Sequence, residues 1–144
     1  MPRTIVITGV TSGFGRATAA VFIKEGWNVA GTGRRKERLD ALKAEWGDAF
    51  LPLELDMRDK SAVFAALERL PAPWSEPDVL VNNAGLALGL APSQEADLDD
   101  WETMIDTNIK GLLYATRALL PGMTARNRGH IVNLGSTAGT YPYK

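Results

Sequence analysis

The sequence predicts an α/β fold in which a doubly wound parallel sheet carries helices on both faces. Short continuous apolar runs, such as residues 5–7 and 79–81, are typical of strands that are buried on both sides. Segments with apolar residues at steps of three and four alternate with these runs, as helices require. Because right-handed crossovers place helices over both faces of a sheet, this alternation favours parallel strands.

Five strands are predicted, over residues 5–7, 27–32, 50–55, 78–81 and 129–135. Gly26 precedes the second strand, at a position typical of a helix C-terminal cap. The third strand contains Pro52, which cannot donate to a strand ladder and therefore favours an edge position.

Four helices are predicted, over residues 16–25, 37–46, 59–70 and 97–123. Pro71 ends the third helix, and the acidic run 97–100 supplies negative charge to the N-terminus of the fourth. In the fourth helix Asn108 falls on the apolar stripe, so we expect it to be buried and bonded to a specific partner. Residues 86–96 show no period and are predicted to form a loop.

Composition excludes several classes of protein. The 144 residues suffice for one domain with a core, and 45% apolar with 23% charged residues is ordinary for a globular chain. The net charge of −1 argues against a nucleic-acid partner and against binding to anionic membranes. Without cysteine there is no disulfide scaffold or thiolate metal site, and no metal site is predicted. Without a signal core or a membrane span, a cytoplasmic location is expected.

The glycine-rich turn from Thr8 to Gly15 follows the first predicted strand and opens the first helix. Free backbone N–H groups and the positive end of the helix dipole make such a turn a candidate anion site, most simply for a pyrophosphate. Its spacing, T-G-x-x-x-G-x-G, makes a longer loop than the G-x-G-x-x-G of the dinucleotide fingerprint. The alternative at this point is a plain turn that joins a strand to a helix.

In a parallel α/β sheet the ligand lies at the carboxyl ends of the strands. The loops predicted at this edge cover residues 8–15, 33–36, 56–57, 82–86 and 135–139. Arg34 and Arg35 follow the second strand, and Gly33 takes the place where a carboxylate would select NAD. Since guanidinium groups suit a phosphate, these residues predict NADP, with a solvated basic loop as the alternative.

Other polar residues at this edge have two interpretations each. Asp56 could accept from an adenine amino group or could simply stabilise a turn. The run Asn82-Asn83-Ala84-Gly85 could approach a cofactor or form an Asx turn. Ser136 could donate to a substrate oxygen, or it could be an ordinary turn serine. His130, the single histidine, starts the fifth strand away from this edge and is interpreted as structural.

These motifs together resemble the short-chain dehydrogenase/reductase family. The residues that carry the resemblance, over the whole chain, are Thr8-Gly9-x-x-x-Gly13-x-Gly15, Asn82-Asn83-Ala84-Gly85, Asn108 and Ser136 after Asn-Leu-Gly. The resemblance implies a Rossmann domain over residues 1–144 that binds NADP. The cofactor residues predicted in this way are Gly9, Val10, Thr11, Ser12, Gly13, Phe14, Gly15, Arg34, Arg35, Asp56, Met57, Asn83, Ala84 and Gly85. It also implies that Asn108 bends its helix and holds a proton-relay water, and that Ser136 orients the substrate oxygen.

A closer resemblance is to the NADP-dependent branch of the family that acts on serine, allo-threonine and related 3-hydroxy acids and reduces malonic semialdehyde to 3-hydroxypropionate. It rests on residues 82–89, 100–108 and 135–143. This branch implies a small-molecule substrate and a homo-oligomer, usually a tetramer.

The sequence departs from the family in one respect. The family's acid/base pair is Tyr-x-x-x-Lys, with the tyrosine about thirteen residues after the serine, and Tyr141, Tyr143 and Lys144 lack that spacing. We therefore expect the sequence to be the cofactor-binding N-terminal portion of a longer enzyme, truncated before the pair and inactive alone. The alternative is a non-catalytic NADP-binding module. A P-loop phosphotransferase is excluded because G-x-x-x-x-G-K-[ST] is absent.

Overall fold

A computed structural model describes residues 2–141 of the chain. Its sheet has five strands, which are β1 (Thr4–Ile7), β2 (Asn28–Gly33), β3 (Phe50–Glu54), β4 (Val79–Asn82) and β5 (His130–Asn133). They lie in the order β3-β2-β1-β4-β5, and every neighbouring pair is parallel. The predicted fold class is therefore confirmed. The strand order reverses beside β1, which is the switch point where such sheets bind ligands.

The helices are α1 (Gly13–Lys24), α2 (Lys36–Trp46), α3 (Lys60–Leu67), α4 (Leu98–Ile105) and α5 (Gly111–Ala125). Short 3₁₀ turns cover Gly47–Ala49, Ser93–Glu95 and Thr137–Gly139. The prediction of one regular helix over 97–123 was wrong in one respect, because a π-helical turn, Asp106–Lys110, separates α4 from α5. The first helix also begins three residues earlier than predicted, inside the glycine turn.

Apolar side chains form one core on each face of the sheet, as alternation along a strand requires. On one face Val6 packs with α3 and α5 through residues such as Val63 and Leu119. On the other face Ile5 and Ile7 pack with α1 and α2. Helices on both faces are thus confirmed.

The two edges of the sheet differ in burial. At one edge β3 pairs with β2 alone, and Pro52 lies opposite Gly31, as the proline predicted. At the other edge β5 pairs with β4 and is largely exposed, with His130 at its start. None of the helices between residues 2 and 141 has the length and hydropathy that a membrane span needs.

Candidate cofactor site

A cleft of about 350 Å³ lies at the carboxyl ends of β1, β2, β3 and β4. Its lining residues are Gly9, Thr11, Ser12, Gly13, Phe14, Thr32, Gly33, Arg34, Arg35, Leu55, Asp56, Met57, Asn83, Ala84, Gly85, Leu86 and Thr107. The structure therefore brings together at one cleft all of the predicted cofactor residues except Val10 and Gly15. Both exceptions lie in the glycine turn and are buried against the protein, Val10 in the core.

The glycine turn is compact because its glycines adopt conformations or contacts that other residues cannot. Gly9 and Gly13 have φ of +73° and +56°, in the left-handed region. A Cβ atom on Gly15 would overlap the carbonyl oxygen of Gly9 and Nδ2 of Asn83. The first turn of α1 therefore lies directly against the end of β1.

This close approach leaves the N-terminus of α1 open toward the cleft. Ser12 precedes the helix in an extended conformation, and its side chain makes no capping hydrogen bond. The first turn of α1 also contains no acidic residue. Since the first N–H groups of a helix have no intrahelical acceptor, this end of α1 can bind an anion.

Thr8 and Asn83, the residues directly after β1 and β4, fix the first part of the turn on one side. The Thr8 hydroxyl accepts from the backbone N–H groups of Asn83 and Ala84, at 3.0 and 2.9 Å. In return, Nδ2 of Asn83 donates to the carbonyl oxygens of Thr8 and Gly9, both at 2.9 Å. Asn83 thus braces the glycine turn across the switch point, a role that neither sequence interpretation included.

Thr32 at the end of β2 fixes the turn on the other side. Its hydroxyl accepts from the N–H of Gly9 at 3.1 Å, and its carbonyl oxygen accepts from the N–H of Val10 at 2.9 Å. The same hydroxyl lies 3.6 Å from Sδ of Met57. Nothing in the sequence indicated that Thr32 supports the site, because threonine is common in buried strands.

Two arginines give the β2 end of the cleft its positive charge. Arg34 is exposed, and Nη2 of Arg35 donates to the Thr11 hydroxyl at 2.9 Å. A Cβ atom on Gly33 would lie 2.5 Å from Cγ2 of Thr11, so a larger residue at position 33 would displace that side chain. Gly33 therefore adds no carboxylate of its own at this end, and it lets the glycine turn close over β2.

Asp56 and Met57 form the wall after β3. The Arg58 guanidinium donates to the Asp56 carboxylate, with Nη2 2.7 Å from Oδ2. This hydrogen bond is the main reason that the pKa of Asp56 lies below its usual value, and the positive charges of Arg58 and Arg34 lower it further. Asp56 is consequently a fixed anion and an acceptor at neutral pH.

Asn108 lies in the π-helical turn and bonds to the loop after β4. Its Nδ2 donates to the Leu86 carbonyl oxygen at 2.7 Å, and its Oδ1 accepts from the Leu86 N–H at 2.9 Å. The predicted burial of Asn108 was wrong, because it is exposed, as are Ile105 and Ile109 of the same predicted stripe. A π turn inserts a residue into the helical repeat, so a stripe of period 3.6 cannot continue through it.

Ser136 follows β5 and does not line the cleft. It is exposed, and its Oγ accepts from the Ala138 N–H at 3.1 Å at the start of a 3₁₀ turn. In this contact the oxygen is the acceptor, so the hydroxyl proton can still be donated to another group. Tyr143 and Lys144 lie outside the described residues. Across residues 2–141 no group of three or more His, Cys, Asp or Glu side chains could hold a metal ion.

This sheet and cleft define a Rossmann-type α/β protein with a glycine-rich turn at the switch point. A family model described as short chain dehydrogenase matches residues 3–144. The chain belongs to the short-chain dehydrogenase family, as the sequence motifs indicated.

Relatives with named activities match almost the whole chain. An "NADP-dependent 3-hydroxy acid dehydrogenase YdfG" of Salmonella typhi is 58% identical over 139 residues, which cover 96% of this chain and 56% of the relative. A "Serine 3-dehydrogenase" of Rhizobium radiobacter is 56% identical over 143 residues, which cover 99% of this chain and 57% of the relative. The chain thus spans little more than half the length of these curated relatives.

Solved structures share the fold closely. A serine dehydrogenase from Escherichia coli superimposes with a TM-score of 0.94 at 55% identity, covering 97% of this chain and 65% of that one. The closed form of a serine dehydrogenase complexed with NADP⁺ gives the same score and identity, covering 97% of this chain and 56% of that one.

We predict that Thr8→Val destabilises the protein because two partly buried backbone N–H groups lose their acceptor. The expected loss in the free energy of unfolding is about 1–3 kcal/mol, measured by urea denaturation. Thr8→Ser keeps the hydroxyl and is the matched control, expected to lose much less. Equal losses for the two variants would show that the hydroxyl does not brace the turn.

Proposed function

We propose that the chain is the cofactor-binding part of an NADP-dependent oxidoreductase. Its substrates would be small 3-hydroxy acids, namely serine, allo-threonine and 3-hydroxypropionate, interconverted with their oxo forms. The observation that carries this proposal is the pair of arginines at the end of β2, beside a glycine instead of a carboxylate. The printed names of the relatives, which include NADP-dependent 3-hydroxy acid and serine dehydrogenases, support it.

The cleft has features that fit this cofactor. The open N-terminus of α1 suits a pyrophosphate. Gly9 lets the turn pack closely on the loop after β4, because a Cβ atom on it would lie 3.0 Å from Cα of Ala84. Arg34 and Arg35 would hold the 2′-phosphate, and Asp56 would accept from the adenine amino group. Met57 and Asn83 would line the adenine and ribose. When bound, the nicotinamide supplies the hydride that the reaction transfers.

Two further residues would act on the substrate side. Ser136 would donate its hydroxyl proton in a hydrogen bond to the substrate oxygen and so orient it. Asn108 would position a water that relays protons, from a π turn already held to the loop after β4. We also propose that the general acid belongs to a Tyr-x-x-x-Lys pair in a longer parent protein. An intact mass well above 15.6 kDa would support this proposal. The tetrameric state and the cytoplasmic location stay predictions.

We predict that replacing Arg34 and Arg35 together by Ala weakens NADPH binding far more than NADH binding. The 2′-phosphate loses charge-assisted hydrogen bonds of about 1.5–3 kcal/mol each, whereas NADH has no such group. Calorimetric or tryptophan-fluorescence titration with both cofactors measures the two dissociation constants. Arg38→Ala, on the exposed side of α2 and outside the cleft, is the matched control. Equal losses for NADPH and NADH would contradict the assignment.

Turnover tests the reaction itself. The parent protein is expected to form NADPH from NADP⁺ with serine, allo-threonine or 3-hydroxypropionate, followed at the absorbance of the reduced nicotinamide. Ser136→Ala is expected to lower kcat by about 10²-fold or more while NADP binding is unchanged, because an oriented donor to the reacting oxygen is lost. Cofactor binding without turnover of any of these acids would favour the non-catalytic module.

A further inference from the structure

We propose that Arg58 is a positioning residue for recognition of the adenine base, acting through Asp56. It holds the Asp56 carboxylate in one orientation, so that the carboxylate selects a base with an exocyclic amine over a base with an oxo group. The inference rests on the proposed function, since it assumes that the cleft binds a dinucleotide.

The contacts between the two side chains leave the carboxylate little freedom. Nε of Arg58 lies 3.0 Å from Oδ1 and 3.1 Å from Oδ2 of Asp56, and Nη2 lies 2.7 Å from Oδ2. The backbone N–H of Arg58 donates to Oδ1 as well, at 3.0 Å. Such forked, charge-assisted hydrogen bonds fix the plane of a carboxylate as well as its position.

The loop that carries both residues is itself closed. The N–H of Asp59 donates to the Asp56 carbonyl oxygen at 3.0 Å, and the Asp59 side chain accepts from the N–H of Ala62 to cap α3. The carboxylate is thus tied to a helix end and to the end of β3, both parts of the folded core. Its position relative to the cleft is therefore set before any ligand binds.

The chemistry of the fixed carboxylate decides which base it accepts. An ionised carboxylate has about four lone-pair sites and no donor. The N–H groups of Arg58 occupy some of the lone pairs of Asp56 Oδ1 and Oδ2. Asp56 lines the cleft with its side chain about one-third exposed, so acceptor capacity remains for a ligand. An exocyclic amine can donate to it, whereas an oxo group at the same place meets a negative charge. Arg58 also lowers the pKa of Asp56, which keeps this charge in place.

A role in stability alone is a weaker account of the pair. The Arg58 and Asp56 side chains are 40% and 34% exposed, and exposed ion pairs contribute little to folding. Arg58 does not line the cleft, so we do not expect it to contact the base directly.

The test compares NADPH with its deaminated analogue, in which hypoxanthine replaces adenine. We expect the protein to bind NADPH at least about tenfold more tightly, because one hydrogen bond to a charged group is lost and an oxo group faces the carboxylate. In Arg58→Met the preference should fall to within about threefold, since the carboxylate can turn away. Arg58→Lys keeps the charge without the fork and should give an intermediate ratio.

Two further variants separate positioning from other effects. In an Asp56→Asn background the preference should be lost, and adding Arg58→Met should change it no further, because Arg58 acts through Asp56. Arg38→Met removes a positive charge outside the cleft and should retain the full preference. Circular dichroism verifies that each variant is folded. If Arg58→Met does not fold, the comparison is made with Arg58→Lys instead.

The outcomes distinguish this inference from the proposed function. If the protein binds NADPH but shows no preference for adenine, or if the Arg58 variants retain the full preference, the inference is wrong and the proposed function stands. Equal weakening of both dinucleotides in Arg58→Met also overturns it, since that is the result of a structural role. Failure of the unmodified protein to bind NADPH would overturn both.

Discussion

The contact between the start of α1 and the end of β1 is the constraint on which the site depends. Only a residue without Cβ can occupy position 15, because Gly9 and Asn83 already fill that space. The contact turns the N–H groups of α1 toward the carboxyl edge of the sheet, where they can meet an anion. Since β1 lies between β2 and β4, Thr32 and Asn83 can hold the same turn from opposite sides. The proposed anion site is thus held by residues at the ends of three strands.

Charge around the turn follows from the same geometry. The arginines after β2 and the Asp56–Arg58 pair after β3 lie at neighbouring strand ends, so one cleft holds a positive corner and a fixed carboxylate. In the proposed complex the 2′-phosphate of NADP would meet the arginines, and the adenine amine would meet the Asp56 carboxylate. Thr32 links the glycine turn to the wall after β3, because its hydroxyl contacts both Gly9 and Met57.

Sequence predicted the fold and most of the cleft because both depend on local patterns. Buried strands, amphipathic helices and the glycine spacing can each be recognised within a few residues, and strand topology then places their ends together. The braces could not be predicted in this way, since the contacts of Thr8 with Asn83 and of Thr32 with Gly9 join residues far apart in the chain. The apolar pattern could not reveal the π turn at Asn108, because it does not register an inserted residue, although the family resemblance implied a bend there.

The proposed function requires the glycine turn to bind the phosphates of the dinucleotide. Amide hydrogen exchange with and without NADPH tests it most directly, because it reports on the backbone N–H groups that would donate. We expect slower exchange over residues 9–15 when NADPH is added, with a smaller effect at residues 34–35. Protection elsewhere with unchanged exchange in the glycine turn would contradict it.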